Sequence, residues 1–356
     1  MVGKATLVTG RDRLLKRAML LKQAWVVLWA WAGRLPNSSE DVQIPDYGRW
    51  SRRVLQEQVD ELEEDVKPFL PFVLGGKRTR AQEERFLLFA SRNYERLKHA
   101  KGAFRLCTVQ EFLRDIGPLR AVTLLDAPPY AEIMMQGFKG VAYRHPEFML
   151  ARDVECLFEL FWQMEDIIRS TMREPIQPEW MWNGTQNVQS LARATILACF
   201  GLLESFVSGL ARGHIMTHPR LDPSITKRLE RNHGSLLDRL LEVSELIKGT
   251  PSPFSATEPP FDRLFGDIKQ RRDAFVHCEP GDHEARPGLV KQKSFNDVSP
   301  EIVEAAVRLT ADTIRTVWCW VHDVDTAPAW LHFTGARTRD GLGVHVVPGT
   351  RSNGPD

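Results

Sequence analysis

Six consecutive residues, Arg272-Asp273-Ala274-Phe275-Val276-His277, carry the side chains best suited to chemistry in this chain. An imidazole with an ordinary pKa of about 6.5 moves protons at neutral pH. A guanidinium holds a phosphate and the charge that builds on it. Asp273 and His277 are four apart, so on a helix they share a face, and the carboxylate can fix one imidazole tautomer. Arg272 and His277 are five apart, about 140° around a regular helix. They converge on one substrate only where the helix loosens near His277 or where two chains contribute. Cys278-Glu279-Pro280-Gly281 supplies a helix stop just there.

The element that must position these groups runs from Phe261 to Pro280. Phe261, Leu264, Phe265, Ile268 and Phe275 recur at helical spacing and form an apolar stripe. Arg272 falls in the middle of that stripe. A guanidinium there is costly unless it is paired or faces a cavity. Glu204, at the end of an apolar run in an earlier helix, is an acid in want of a cation, and Arg272 or Arg271 is its candidate partner. An Arg five to seven residues before a His is common here, occurring at six of the ten His. Only at His277 do a carboxylate after the Arg, an apolar helix before it and a long helix after it combine.

That combination resembles the HEPN superfamily, whose signature is Arg, a polar residue, a short mostly apolar spacer and His. Arg272 to His277 (RDAFVH) has that form. The surrounding order is also similar: an apolar helix with Leu202 to Val207 (LLESFV), the motif helix, then a closing helix from Pro300 to His322. The resemblance covers about Asn183 to Asp325. It implies a helical bundle that dimerises, brings two motifs into a cleft and cleaves RNA without a metal or other cofactor. In that reading Arg272, Asp273 and His277 are catalytic, Glu204 and Arg271 support them, and Arg286, Lys291 and Lys293 contact the RNA backbone. The products would be a cyclic 2′,3′-phosphate and a 5′-hydroxyl. Family members often act as toxins or phage-defence effectors, so a regulatory protein or antitoxin is an expected partner.

Two other readings of the same residues stand beside it. In one, Arg272 pairs with Glu204 inside a non-catalytic bundle that binds RNA or a protein. His277, Cys278, His283 and Glu284 lie close in sequence, but this is no standard metal-ligand spacing.

Composition sets bounds on these readings. Apolar residues make up 43% and charged residues 26% of 356, which describes an ordinary globular chain with ample core. A net charge of +1 provides no global field for nucleic acid, so an RNA site must be a local patch. Five scattered Cys without paired spacing imply a reduced, cytoplasmic setting. No apolar run is expected to span a membrane.

The chain is expected to be mainly α. Residues 1–178 form a helical region of unknown function, 179–327 the bundle, and 328–356 a loose tail pinned in part by Trp330 and Leu331. Arg11 to Ala32 reads as a basic amphipathic helix that docks on a core, with a membrane-surface helix as the alternative. Gly75 to Arg80 (GGKRTR) invites a phosphate-loop reading, but Pro71 stands where the first Gly belongs and Arg78 where Ser or Thr does. Arg92, Asn93 and His99 repeat the motif spacing on a helix from Ala81 to Lys101 and read as a solvated face. Leu119 to Tyr143 allows a short strand or two. Glu174 to Gly184 reads as the linker between domains. Asp222-Pro223 opens a helix to Lys248 that Gly234 could kink.

Overall fold

Helix α1, Gly10–Trp31, is the centre of the N-terminal part of the molecule, because its apolar positions face two other helices at once. The computed structural model describes residues 10–120, 126–171, 178–231, 234–276 and 298–333, and divides into two compact units, Met1–His145 and Pro146–Asp356. Both are mainly helical.

In the first unit α1 packs against α3 (Arg52–Val66) and α5 (Arg80–His99), with the short α2 (Ser39–Val42) and α4 (Leu70–Leu74) between them. Leu21, Leu28 and Trp31 of α1, Leu55 of α3 and Phe86 of α5 are buried together. Each such side chain contributes about 1.5–3 kcal/mol by leaving water. Trp31 and Phe86 meet edge to face at 5.8 Å. Arg17 bridges both neighbours, to Glu63 at 2.8 Å and Glu84 at 2.7 Å. The core-docking reading of this helix therefore holds. Trp25 and Trp29 stack at 4.6 Å, with Lys22 over the Trp25 ring.

Thr79 caps α5 and exchanges hydrogen bonds with Gln82, so Gly75 to Arg80 is a capped turn into a helix. After α5 comes a three-stranded antiparallel sheet, β1 (Phe104–Thr108), β2 (Glu132–Met135) and β3 (Val141–Arg144), in that order. Helix α6 (Val109–Asp115) intervenes, capped by Thr108 and Glu111. Thus residues 1–178 are not helical throughout: β2 and β3 fall where Leu119 to Tyr143 allowed a short strand or two, while β1 lies before that stretch and is too short to announce itself by alternation.

The second unit begins at Pro146, earlier than the expected boundary at 178/179. The reason is packing. Helix α7 (Pro146–Thr171) lies along α8 (Pro178–Thr217), and Val154, Phe158, Phe161 and Ile168 share one core with Ile196, Phe200 and Leu203. The expected linker also ends early, since α8 is already helical from Pro178. Gly184 is buried in that helix, where an added Cβ would stand 3.4 Å from the Ile168 side chain, an ordinary contact distance.

Helix α8 is 40 residues long and central. Val188, Thr195, Cys199, Leu202, Phe206 and Leu210 recur at helical spacing and are buried along one stripe. By length and composition its stretch Gly184–Thr217 is apolar enough to cross a membrane, contrary to expectation, and 56% of the apolar window is buried inside the protein. Around it pack α9 (Pro223–Leu229), α10 (Leu236–Lys248), a helical run made of α11 (Phe261–Arg263), a π segment (Leu264–Ile268) and α12 (Lys269–Val276), and α13 (Pro300–His322). The expected single helix from Asp222 to Lys248 is two. Gly234 has φ 105°, and Ser235 starts α10 as a new N-cap. Trp330 and Phe333 are buried in this core and Leu331 is partly buried, so the chain past α13 is pinned at least that far.

Candidate functional site

The helical run from Phe261 to Val276 lies on α8 through its apolar stripe. Phe261, Leu264 and Ile268 are buried, while Phe265 and Phe275 are partly so. Phe265 meets Phe200 of α8 edge to face at 6.5 Å. The helix is not regular. Its π segment ends at Ile268, four residues before Arg272. Such a segment often marks a functional place in a helix.

Arg272 continues the stripe and is partly exposed, and its guanidinium reaches α8. Its Nη2 donates to Glu204 Oε1 at 2.9 Å and its Nη1 donates to Asp273 Oδ1 at 3.1 Å. The guanidinium lies 5.7 Å from the Phe200 ring centre, within cation–π range. Of the two candidate partners of Glu204, Arg272 makes the pair. Arg271 is half-buried one position earlier. Glu204 is not the buried acid expected: its side chain is 50% exposed, against 26% for Arg272. It sits on the flank of α8 rather than in the stripe, one residue past Leu203.

Asp273 receives a second cation, Lys269, one turn back on the same helix. Burial raises the pKa of this carboxyl, but hydrogen bonds from Lys269 and Arg272 outweigh that effect and pull it below the ordinary value. Each oxygen of Asp273 thus already serves a cation. The expected role, orienting His277, lies outside the described residues, as do His277 itself, Arg286, Lys291, Lys293 and the Cys278, His283 and Glu284 of the metal reading. Among the described residues no three His, Cys, Asp or Glu stand close enough to hold a metal ion.

A third helix contributes a residue the sequence reading did not single out. Arg239 of α10 donates from Nη2 to Ser208 Oγ at 3.1 Å. Ser208 is four residues after Glu204, on the same face of α8. Burial lowers the Arg239 pKa, and the nearby Glu204 charge opposes that shift. The Arg239 Nε is buried and, among the described residues, meets no acceptor. The cluster therefore sets three cations, Lys269, Arg239 and Arg272, against two carboxylates, Glu204 and Asp273. The Lys269–Asp273 spacing was there to be read in the sequence. Arg239 looked like one charge among several on an amphipathic helix, and only the three-helix junction sets it apart.

The second motif-like set lies in the first unit and has a structural explanation. Asn93 is buried, donates to the Phe89 carbonyl at 2.9 Å and accepts from Arg96 at 3.0 Å. Arg92 and His99 are exposed, and His99 stands 3.4 Å from Glu95.

No protein-family model, curated protein or solved structure matches this chain.

Proposed function

We propose that the chain is a HEPN-like endoribonuclease that cleaves RNA without a metal ion and works as a dimer through its second unit. One observation carries the reading. Arg272, placed by sequence on a core-facing line, emerges part-exposed and is held across helices by a single half-exposed carboxylate. A guanidinium entombed in a bundle could not meet a phosphate. This one uses two of its five N–H donors on Glu204 and Asp273.

In the proposed reaction the ribose 2′-hydroxyl attacks the adjacent phosphorus. His277 moves a proton between the 2′-hydroxyl and the leaving 5′-oxygen as the P–O5′ bond breaks. Arg272 holds the phosphate and the negative charge it gains. Asp273 sets the electrostatics of both groups, and Arg286, Lys291 and Lys293 hold the flanking backbone. The products are a 2′,3′-cyclic phosphate and a 5′-hydroxyl. A toxin or defence role in the cytoplasm, restrained by an antitoxin-like partner, fits such an activity.

The pairing of Arg272 with Glu204 also favours a second reading, a bundle that binds RNA or protein without cutting. Incubation with mixed RNA in EDTA separates the two. Cleavage lost in both Arg272→Ala and His277→Ala supports the nuclease. Intact RNA with measurable binding supports the module.

A further inference from the structure

Arg272 and Arg239 come from different helices and meet α8 one turn apart, at Glu204 and Ser208. One turn is about 6 Å along the axis. Two guanidinium groups thus reach one face of α8 at positions one turn apart, with one carboxylate and one hydroxyl to receive them. Arg239 is underused in that arrangement. Its hydrogen bond goes to a neutral hydroxyl, and among the described residues its buried Nε–H meets no acceptor. A guanidinium so sparsely bonded is costly, and its outer Nη2, bonded to Ser208 at an exposed position, is the end an anion can reach.

Glu204 is the resident anion, and its side chain is half open to solvent. A phosphodiester carries the same single charge and likewise presents two oxygens to a guanidinium fork. It can take the carboxylate's place without leaving either arginine uncompensated. Phe200, under the Arg272 guanidinium, is only 2% exposed, so it offers no face for a base to stack on. The chemistry here suits a backbone phosphate, not a base.

We propose that Arg239 and Arg272 form a two-pronged site for one phosphate of a polynucleotide backbone, and that Glu204 is a built-in competitor which the phosphate displaces. The choice of RNA as ligand rests on the reading above, whereas the competition does not require cleavage. Arg239 is thereby a binding residue of the same site, and Glu204 restrains it.

The test uses the full chain and a fluorescent 12-residue RNA with every 2′-hydroxyl methylated, which cannot be cut. Binding is followed by anisotropy across a salt series. Glu204→Gln should tighten binding about threefold, as expected for removing a part-exposed ion pair that competes. Arg239→Gln should weaken it and reduce the slope of log affinity against log salt by about one. Arg239→Lys keeps the charge and loses the fork. It should retain the slope with lower affinity, and it serves as the readout if the Gln variant melts below the assay temperature.

Unchanged or weaker binding in Glu204→Gln, or an unmoved salt slope in Arg239→Gln, overturns the proposal. So does equal binding of an oligoglutamate peptide that responds to the same variants. Unmodified RNA in EDTA, run alongside, keeps the two claims apart. Cleavage with binding indifferent to Glu204 and Arg239 sinks the two-pronged site and spares the nuclease. Uncut RNA with the expected binding shifts does the reverse.

Discussion

Removing the Arg272 guanidinium and the Glu204 carboxylate, singly and together, measures how firmly the first is held. The pair is 2.9 Å apart, with side chains 26% and 50% exposed. Pairs open to water to this degree couple by about 0.2–1 kcal/mol. Arg272 also lies over Phe200, a contact that adds about 0.5–1 kcal/mol. Arg272→Ala should therefore cost about 1–2 kcal/mol and Glu204→Ala less than about 1 kcal/mol. The double variant should fall short of their sum by the coupling alone. Urea unfolding followed by tryptophan fluorescence supplies all four stabilities, provided the slopes agree. A coupling of about 3–5 kcal/mol, the scale for stripping one partner from a buried pair, would refute the argument. The arginine would then be a structural strut, and no phosphate could compete for it.

Four further outcomes follow from other features of the structure. Asp273 has its folded pKa depressed by Lys269 and Arg272, so its stabilising contribution is complete at neutral pH and is lost as pH falls through the folded value. The stability gap between wild type and Asp273→Asn should close below about pH 4, and a gap that stays constant in acid urea titrations contradicts the assigned partners. Gly201 sits inside α8 with no atom within 4 Å of an added Cβ, so Gly201→Ala should raise stability by about 0.5–1 kcal/mol. Gly249 ends α10 with φ 74°, so Gly249→Ala should lower stability by about 1 kcal/mol, and the opposite signs are readable in thermal melts. Cys156 is exposed, whereas burial pushes the Cys199 thiol up to about 12, so iodoacetamide should label Cys156 in the native protein and reach Cys199 only after unfolding, as peptide mass mapping would show.

Much of the second unit could be read from residue order because its helices are long and one-sided. Val188 to Leu210 and Val303 to Val321 announce their buried faces by period alone. The Arg272–Glu204 pair was legible for a related reason, since each is a charge set against apolar neighbours. Its openness was not, because a single residue of rotation around α8 separates Leu203, fully buried, from Glu204, half exposed. The domain boundary was misplaced because Pro175, Pro178 and Gly184 look like punctuation, while α8 tolerates the last two in its interior or first turn. Arg239 was invisible as a site residue, since its distinction is the company it keeps across three helices. Two of the strands, Glu132–Met135 and Val141–Arg144, fall where a short strand or two was allowed for, whereas Phe104–Thr108 escaped because five residues are too few to show alternation.

The π segment ahead of Arg272 has a consequence for how this helix can change length. A π turn contains one residue more than an α turn needs. The chain could lose one residue between Leu264 and Ile268, tighten into ordinary helix, and keep Phe261 in the core and Arg272 beside Glu204. The same loss between Lys269 and Arg272 would turn the guanidinium by about 100°, away from its carboxylate. The surplus residue makes the bulge a slack joint, able to absorb a deletion that a straight helix would transmit directly to the arginine.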